Sequence, residues 1–269
     1  HAAHASLEGA SIIIWTTTPW TMPANRAVAY GDDISYQVTE VLAANDGALC
    51  AKGDVVVIAD DLAESVMRAI GASETKIRAH LTGREMAGSI AAHPMAGHGY
   101  DFDVPLLAGS HVTTEQGTGF VHIAPGHGVE DYELAHLKHG IAVPDTVGED
   151  GVILPHLPVF GGMHVLRDNA KIAGIMAEHK GVIGIGKLVH SYPHSWRSRA
   201  PLIYRNTAQW FVSMESHGLR DIALGELAKT KFYPAAGQKR LTSMIAQRPD
   251  WCLSRQRAWG VPLTIFAHK

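Results

Sequence analysis

Three consecutive threonines, Thr16, Thr17 and Thr18, form the first group of residues that could carry chemistry. Threonine hydroxyls donate and accept hydrogen bonds without carrying a charge, so three together could orient a water molecule or a ribose hydroxyl. Pro19 follows them, and Asn25 adds an amide near the end of the same stretch. Because threonine beside proline is common in turns, and asparagine often caps local backbone, an ordinary turn remains the alternative.

A second group lies in the glycine-rich run from Gly117 to Tyr132, which contains His122, His127 and Asp131. Its glycines allow the backbone to approach a ligand closely. Asp131 is predicted in the first turn of a helix, where free N–H groups and the helix dipole favour a carboxylate. We therefore expect it to stay ionised and to be able to bind an ammonium group. The alternative is structural: Asp131 caps its helix and His122 is a hydrogen-bonded core histidine.

The 17 histidines raise the question of a metal site, but their spacing does not support one. His122 and His127 are separated by a predicted turn, and the sequence has neither Cys-x-x-Cys nor His-Glu-x-x-His. A Gly-x-x-x-x-Gly-Lys-Ser/Thr loop and a Gly-x-Ser-x-Gly elbow are absent as well. We therefore expect no catalytic metal, and nucleotide hydrolysis and serine esterase chemistry lack support.

Hydrophobic periodicity predicts the elements that must position these two groups. Short apolar or alternating runs predict strands at residues 11–15, 34–41, 54–59, 118–124 and 182–190. Helical spacing and helix end signals predict helices at residues 60–70, 129–138, 169–180, 215–228 and 236–247. The threonines would then lie in a loop after the first strand. Many short strands with fewer helices are typical of an α+β fold with a β-barrel-like core and peripheral helices.

The composition is that of a globular protein whose charge is unevenly distributed. No apolar run approaches the roughly 20 residues of a membrane span, and two distant cysteines suggest no disulfide framework, so we expect a cytoplasmic protein. Residues 186–269 hold 13 Lys and Arg against 4 Asp and Glu, so this part could meet a phosphate backbone. The charge shift predicts three parts: a flank at residues 1–10, a main domain at 11–185 and a C-terminal part at 186–269. Since the first residue is not Met, we expect the chain to be part of a longer protein.

Taken together, the motifs resemble those of the editing domain of isoleucyl-tRNA synthetases. The stretch from Trp15 to Ala27 is similar to the threonine-rich motif of that family, and Gly117 to Tyr132 is similar to its second motif. Gln209 to Met214 and Arg248 to Pro262 resemble the segment where the family's chain re-enters its catalytic core. Valyl and leucyl enzymes typically carry Arg before the proline of the first motif, whereas Thr18 occupies that position here, which favours the isoleucyl type. The resemblance implies an editing core followed by a junction with the rest of the synthetase.

The resemblance also implies a reaction, the hydrolysis of valine wrongly attached to tRNA(Ile). A synthetic pocket discriminates against a missing methylene only about 100-fold, so a second site must remove valine while excluding isoleucine. Asp131 would hold the α-ammonium group of the amino acid. Thr16, Thr17 and Thr18 would be catalytic residues that position the adenosine or the water. Trp15 and His122 would shape the pocket. Asn25 would support the adenosine, and His127 would bind substrate. No general base is implied, because an aminoacyl ester is already activated and positioning a water can suffice.

The same resemblance implies what the chain lacks and what it binds. It has neither of the two nucleotide-binding signatures of this synthetase class, so we expect no cofactor here; ATP and Mg²⁺ would serve only the full enzyme. Ser195 and Ser198 stand where many relatives carry zinc-binding cysteines, so no zinc is expected. The expected partners are the 3′ end of tRNA(Ile) carrying valine and the remainder of the synthetase, with the protein a monomer and no membrane involved. Two alternatives stay open: a non-catalytic tRNA-binding module, and the editing domain of a valyl or leucyl enzyme.

Overall fold

The computed structural model describes residues 1–189, 191–256 and 260–266. Two compact units, His1–Asn206 and Thr207–Lys269, make up the chain, and each is described by itself. The predicted domain boundary after residue 185 remains a prediction, and the first compact unit continues beyond it to Asn206. Within the described ranges, no helix is both long enough and apolar enough to cross a membrane.

The first sheet of the N-terminal unit has four strands. In spatial order they are β1 (Ser11–Ile12), β4 (Val55–Ala59), β3 (Ser35–Ala44) and β5 (Ala72–Thr82). β1 is parallel to β4, whereas β3 is antiparallel to both β4 and β5. β4 is a run of β-branched residues that is buried from Val56 onward, as expected for an inner strand covered on both faces.

The second sheet carries one of the two candidate groups. Its strands, in spatial order, are β6 (Ile90–Ala92), β7 (Asp103–Ala108), β2 (Ala27–Tyr30) and β8 (Phe120–Ile123). β2 runs parallel to β7 and antiparallel to β8, and it follows directly after the threonine-rich loop. The pairing of β2 with β8 therefore brings the two motifs side by side.

Three helices surround these sheets. α1 (Ala63–Ile70) follows a 3₁₀ turn and ends at Gly71, whose φ of 82° is the left-handed conformation that glycine adopts readily at a helix end. α2 (Val129–Tyr132) continues into a wider helical turn at Glu133–Lys138. α3 (Asn169–Glu178) packs on a 3₁₀ helix at Pro19–Ala24, which lies within the threonine-rich loop. The loop is thus held between a helix and a sheet.

The C-terminal unit is small and has little buried side-chain surface of its own. Its short strands β9 (Phe211–Val212) and β10 (Trp251–Cys252) pair antiparallel, and the helices α4 (Leu219–Lys229) and α5 (Ala236–Ala246) pack on each other. Neither helix has a buried residue among those described. The stretch from Arg248 to Pro262, which resembles the segment where the family's chain re-enters its catalytic core, includes residues 257–259. These three residues lie outside the described residues.

The predicted α+β class agrees with this mixture of small sheets and helices. The predicted barrel-like closure is not found: the two four-stranded sheets have separate strand orders with free edges, and no described strand joins them into a closed barrel. The five predicted helices are all present near their predicted positions. The strand predicted at residues 182–190 is wrong for residues 182–189, which form no regular element, and residue 190 lies outside the described residues. The apolar character of that segment reflects packing of Val182 and Ile183 against the cores rather than strand pairing.

Candidate functional site

A cavity of about 420 Å³ lies where the threonine-rich loop meets the end of β8 and the start of α2. Seven of the eight residues predicted for the site line it: Trp15, Thr16, Thr17, Thr18, His122, His127 and Asp131. The eighth, Asn25, is buried beside the cavity and not on its wall. The structure therefore brings together residues from two motifs that are about a hundred positions apart in the sequence.

Five residues of the cavity wall were not predicted: Thr21, Gln116, Val121, Ala124 and Leu188. Thr21 could have been found, because a residue three positions after Thr18 meets it again in a 3₁₀ turn. Val121 and His122 are adjacent on the edge strand β8, and both residues line the cavity although successive side chains of a strand usually point to opposite faces. No sequence signal marks Leu188, which belongs to the irregular segment at residues 182–189.

Hydrogen bonds among the threonines shape the loop. The hydroxyl of Thr16 accepts a bond from the backbone N–H of Thr18 at 3.0 Å, and their two hydroxyl oxygens lie 3.3 Å apart. Both the backbone N–H and the hydroxyl of Thr21 donate to the carbonyl of Thr18, at 2.9 Å and 2.8 Å. The turn predicted as an alternative function of these threonines is therefore real, and it holds their side chains at the cavity.

The ring of His122 is held at both nitrogens by this loop. Its Nε2 lies 2.9 Å from the hydroxyl of Thr21, and its Nδ1 lies 2.6 Å from Nδ2 of Asn25. The single hydroxyl proton of Thr21 is used by the carbonyl of Thr18, so Thr21 accepts from Nε2–H of His122. Nδ1 then accepts a hydrogen bond that the side-chain amide of Asn25 donates. These bonds select one neutral tautomer of the imidazole.

Burial lowers the pKa of His122 to about 3, and the neighbouring His127 and His93 act in the same direction. A ring with this pKa stays uncharged throughout the physiological range, and both of its nitrogens are already engaged. The neutral ring of His122 consequently forms part of the cavity wall in a fixed orientation. It has no free nitrogen that could accept a proton from water.

His127 is held in a similar way. Its Nδ1 lies 2.9 Å from the carbonyl oxygen of Tyr204, which can only accept, so Nδ1 carries the proton. Its Nε2 then accepts a bond from the hydroxyl of Thr146 at 2.8 Å, and the edge of its ring meets Trp20 at 5.0 Å. Burial lowers the pKa of His127, so this ring is neutral as well.

Asp131 is the carboxylate in the cavity wall, and its environment differs from the one predicted. Burial outweighs the favourable backbone contact and raises its pKa from 3.8 to about 6, with a further contribution from Glu130. One carboxylate oxygen accepts a bond from the N–H of Ala124 at 2.8 Å, which ties the first turn of α2 to the end of β8. Burial, and not the helix terminus, therefore sets the direction of this pKa shift. Asp131 is still mostly ionised at neutral pH.

Trp15 forms an open wall of the cavity, with about 46% of its surface exposed. A side chain added at Gly117 would meet the indole ring at 3.6 Å, and the φ of 84° at Gly117 disfavours any other residue. The left-handed backbone at this position, and not a lack of space beside the indole, therefore favours glycine.

The arrangement combines one carboxylate with neutral hydroxyls, two neutral imidazoles and apolar surface. It can hold a small cationic group at Asp131 while the threonine hydroxyls of the same wall orient a water or an alcohol. In the described residues, no three His, Cys, Asp or Glu side chains are grouped closely enough to hold a metal ion. Neither histidine in the wall offers a free basic nitrogen, so neither ring can take a proton from water, and the neutral hydroxyls and rings of this cavity support positioning.

Comparisons of the chain with known proteins identify the family to which it is similar. A profile described as tRNA synthetases class I (I, L, M and V) matches residues 6–269. The isoleucine–tRNA ligase of Pelagibacter ubique (strain HTCC1062) is 49% identical over 263 residues, which are 98% of this chain and 28% of that protein. The isoleucine–tRNA ligase of Gluconobacter oxydans (strain 621H) is 45% identical over 279 residues, covering 99% of this chain and 29% of that protein. The chain thus spans less than a third of the length of the curated relatives it matches.

A solved structure supports the fold. The crystal structure of GlLeuRS-CP1 matches with a TM-score of 0.50 at 14% identity, covering 70% of this chain and 87% of that chain. At this identity the likeness concerns the fold alone. Because the family profile matches all but the first five residues, the chain belongs to the class I tRNA synthetases of the I, L, M and V group.

Proposed function

We propose that this chain is the editing segment of an isoleucine-type synthetase and hydrolyses the ester bond of valine misattached to tRNA(Ile). The observation that carries the proposal is the placement of Asp131 and the three threonines on the wall of one small cavity. The relatives named isoleucine–tRNA ligase and the CP1 fold support the assignment to a synthetase that would need such a site.

Asp131 supplies the attachment point for the amino acid. Its carboxylate is mostly ionised at neutral pH and is the charge complement of an α-ammonium group, which any aminoacyl ester carries. Its bond to the N–H of Ala124 keeps the carboxylate at the cavity. An amino acid held there would direct its side chain and ester toward the remaining walls.

The threonine loop forms the second half of the site. Thr16, Thr17 and Thr18 present hydroxyls that position the terminal adenosine or the attacking water. Trp15 and His122 set the size of the space for the side chain, so that valine fits and isoleucine does not. His127 completes the wall between the loop and α2. Asn25 acts indirectly, because its side-chain amide holds the ring of His122 in position.

The reaction needs no side-chain base in this proposal. Water attacks the ester carbonyl carbon, the bond to the ribose oxygen breaks, and free valine and tRNA with a restored hydroxyl are released. Because an aminoacyl ester is already activated, holding the water and the ester in line supplies the acceleration. This agrees with the absence of a free basic nitrogen on His122 and His127.

The C-terminal unit is proposed to return the chain toward the catalytic core of the full synthetase. Its surface carries large exposed apolar residues, including Trp210, Phe211 and Trp251, which suits a segment that packs on further protein. Binding of the tRNA 3′ end, a cytoplasmic location and a monomeric state belong to the same proposal. We propose as well that only the full synthetase uses ATP and Mg²⁺.

Deacylation of purified aminoacyl-tRNAs tests the proposal. Val-tRNA(Ile), Thr-tRNA(Val) and Ile-tRNA(Leu) are each incubated with the chain, and release of the labelled amino acid is followed against the spontaneous rate. Selective cleavage of Val-tRNA(Ile) supports the isoleucyl assignment, even if the rate is slow. Selective cleavage of either other substrate assigns a valyl or leucyl editor. Binding of tRNA without cleavage of any of the three indicates a non-catalytic module.

A further inference from the structure

We propose that His93, which lies outside the cavity, is a positioning residue for the hydrolytic site, acting on Asn25 and His122 through the carbonyl of Met22. The inference rests on the proposed function for its catalytic consequence, while the physical coupling that it states can be measured independently. His93 follows β6 and is only 2% exposed, so the partners of its ring are protein groups.

The ring of His93 has one defined hydrogen-bonding state. The backbone N–H of Met95 donates to Nδ1 at 3.1 Å, which leaves the ring proton on Nε2. Nε2–H donates to the carbonyl oxygen of Met22 at 2.9 Å. Met22 lies within the 3₁₀ helix that follows the three threonines, so His93, which does not line the cavity, contacts the loop through this helix.

The carbonyl of Met22 is shared with Asn25. The backbone N–H of Asn25 donates to the same oxygen at 2.9 Å. The side-chain amide of Asn25 donates to Nδ1 of His122, whose Nε2–H is accepted by the hydroxyl of Thr21. Hydrogen bonds on the backbone and on the side chain of Asn25 therefore link the ring of His93 to the ring of His122 in the cavity wall.

The surroundings of His93 favour a neutral and immobile ring. It stacks on Tyr100 with a centroid distance of 4.9 Å and an interplanar angle of 18°, and Phe102 lies at 5.2 Å. Burial lowers the pKa of His93 to about 4, and the charge of Arg26 acts in the same direction. An apolar ring would pack here without the cost of burying two nitrogens, so the hydrogen bonds to Met22 and Met95 are what an imidazole adds.

The experiment compares variants that keep or remove the bond to Met22. In His93→Gln, the amide nitrogen occupies the position of Nε2 and can still donate to the carbonyl of Met22. In His93→Asn, the shorter side chain cannot reach it, and in His93→Phe the stacking on Tyr100 is kept while both nitrogens are lost. Tyr100→Phe is the matched control, because it removes a partly buried hydrogen bond from the same cluster, to the carbonyl of Pro158, while the ring and the bond from His93 to Met22 stay in place.

The first readout is deacylation of Val-tRNA(Ile) by the full 269-residue chain. We expect kcat to fall about tenfold or more in His93→Asn and His93→Phe with KM changed less than about twofold, because the substrate-binding groups remain while the geometry is lost. His93→Gln should recover most of kcat, and Tyr100→Phe should match the wild type. A double-mutant cycle with Asn25→Ala should be non-additive, since both changes interrupt the same set of bonds.

The second readout does not depend on activity. Imidazole ¹⁵N shifts of His122 report its tautomer, and they should change in His93→Phe and His93→Asn but not in Tyr100→Phe. Unchanged His122 shifts in His93→Phe, or kcat losses that equal the loss in Tyr100→Phe, would overturn the inference. If the wild-type chain hydrolyses nothing, the proposed function fails, and the shifts of His122 still decide whether His93 is coupled to the cavity.

Discussion

The side-chain amide of Asn25 lies 2.6 Å from Nδ1 of His122, although the two residues are 97 positions apart in the sequence. This bond joins the threonine-rich loop to the strand that leads into α2. Together with the pairing of β2 and β8, it makes the two sequence motifs parts of one site. The roles of individual residues follow from this hydrogen bond and this strand pairing.

Thr21 is expected to matter through its hydroxyl alone. Thr21→Val keeps the shape of the side chain but removes the acceptor for His122 and the donor to the carbonyl of Thr18. We expect a loss of unfolding free energy of about 1–3 kcal/mol, because buried partners are left unpaired, and a lower kcat for hydrolysis of Val-tRNA(Ile). Thr21→Ser, which restores the hydroxyl, should regain both. Chemical denaturation and single-turnover deacylation measure the two effects, and equal behaviour of the Val and Ser variants would contradict them.

The charge of Asp131 is expected to control substrate affinity. Asp131→Asn can still accept the bond from the N–H of Ala124 while losing the negative charge. We expect kcat/KM for Val-tRNA(Ile) to fall about 10- to 100-fold, the worth of one charged hydrogen bond to the ammonium group. Glu130→Gln is the control, since it removes an exposed carboxylate from the adjacent position. Equal losses in the two variants would indicate a general effect of charge and would remove the specific role of Asp131.

The pH dependence of hydrolysis should follow the same carboxylate. The raised pKa of Asp131, about 6, predicts that kcat/KM decreases about tenfold between pH 7 and pH 5, as the carboxylate takes up a proton. The pKa of His122, about 3, predicts no inflection from this ring between pH 6 and pH 8, and burial of His127 lowers its pKa as well. The inflection near pH 6 should disappear in Asp131→Asn. Rates must be corrected for spontaneous ester hydrolysis, and a histidine-like inflection that survives this substitution would refute the positioning mechanism.

Asp131 should also lower stability at neutral pH. Its folded-state pKa is above its ordinary value, so the folded state binds the proton more tightly, and unfolding free energy falls as pH rises from about 4 to about 6. We expect Asp131→Asn to raise the unfolding free energy at pH 7.5 by roughly 1–2 kcal/mol, with the gain vanishing near pH 4. Urea denaturation at the two pH values measures this. A variant that is less stable than the wild type at pH 7.5 would show that the carboxylate contributes to folding.

Local sequence signals marked the two motifs, and these motifs contain the seven predicted residues that line the cavity. Proline and threonine marked the loop, and glycine followed by acidic residues marked the strand, turn and helix. The pKa of Asp131 was not predictable, because burial at the cavity comes from tertiary packing and outweighs the local helix terminus. Leu188 was not predictable for the same reason, because its place in the cavity wall depends on how an irregular segment packs. The open sheets were missed because short strands have the same pattern whether or not a barrel closes.

Trp15 is expected to restrict the size of the amino acid. Its indole forms an open wall of the cavity, so Trp15→Ala should enlarge the space available to a side chain. We expect Ile-tRNA(Ile) hydrolysis to rise about tenfold relative to Val-tRNA(Ile), the range that one methylene is worth in a pocket. Val121→Ala enlarges the cavity on the β8 side instead. It tests whether the preference for valine over isoleucine depends on which wall is cut back. An unchanged preference in Trp15→Ala would assign the size limit to other residues.

The central claim is tested most directly by the ratio of two initial rates, for deacylation of Val-tRNA(Ile) and of Ile-tRNA(Ile) by the same chain at the same concentrations. The proposed site predicts that the valyl ester is cleaved at least about tenfold faster than the isoleucyl ester, and that Asp131→Asn abolishes most of the valyl rate. Equal rates for the two esters, or a valyl rate no higher than spontaneous hydrolysis, would contradict the proposal that this cavity edits misattached valine.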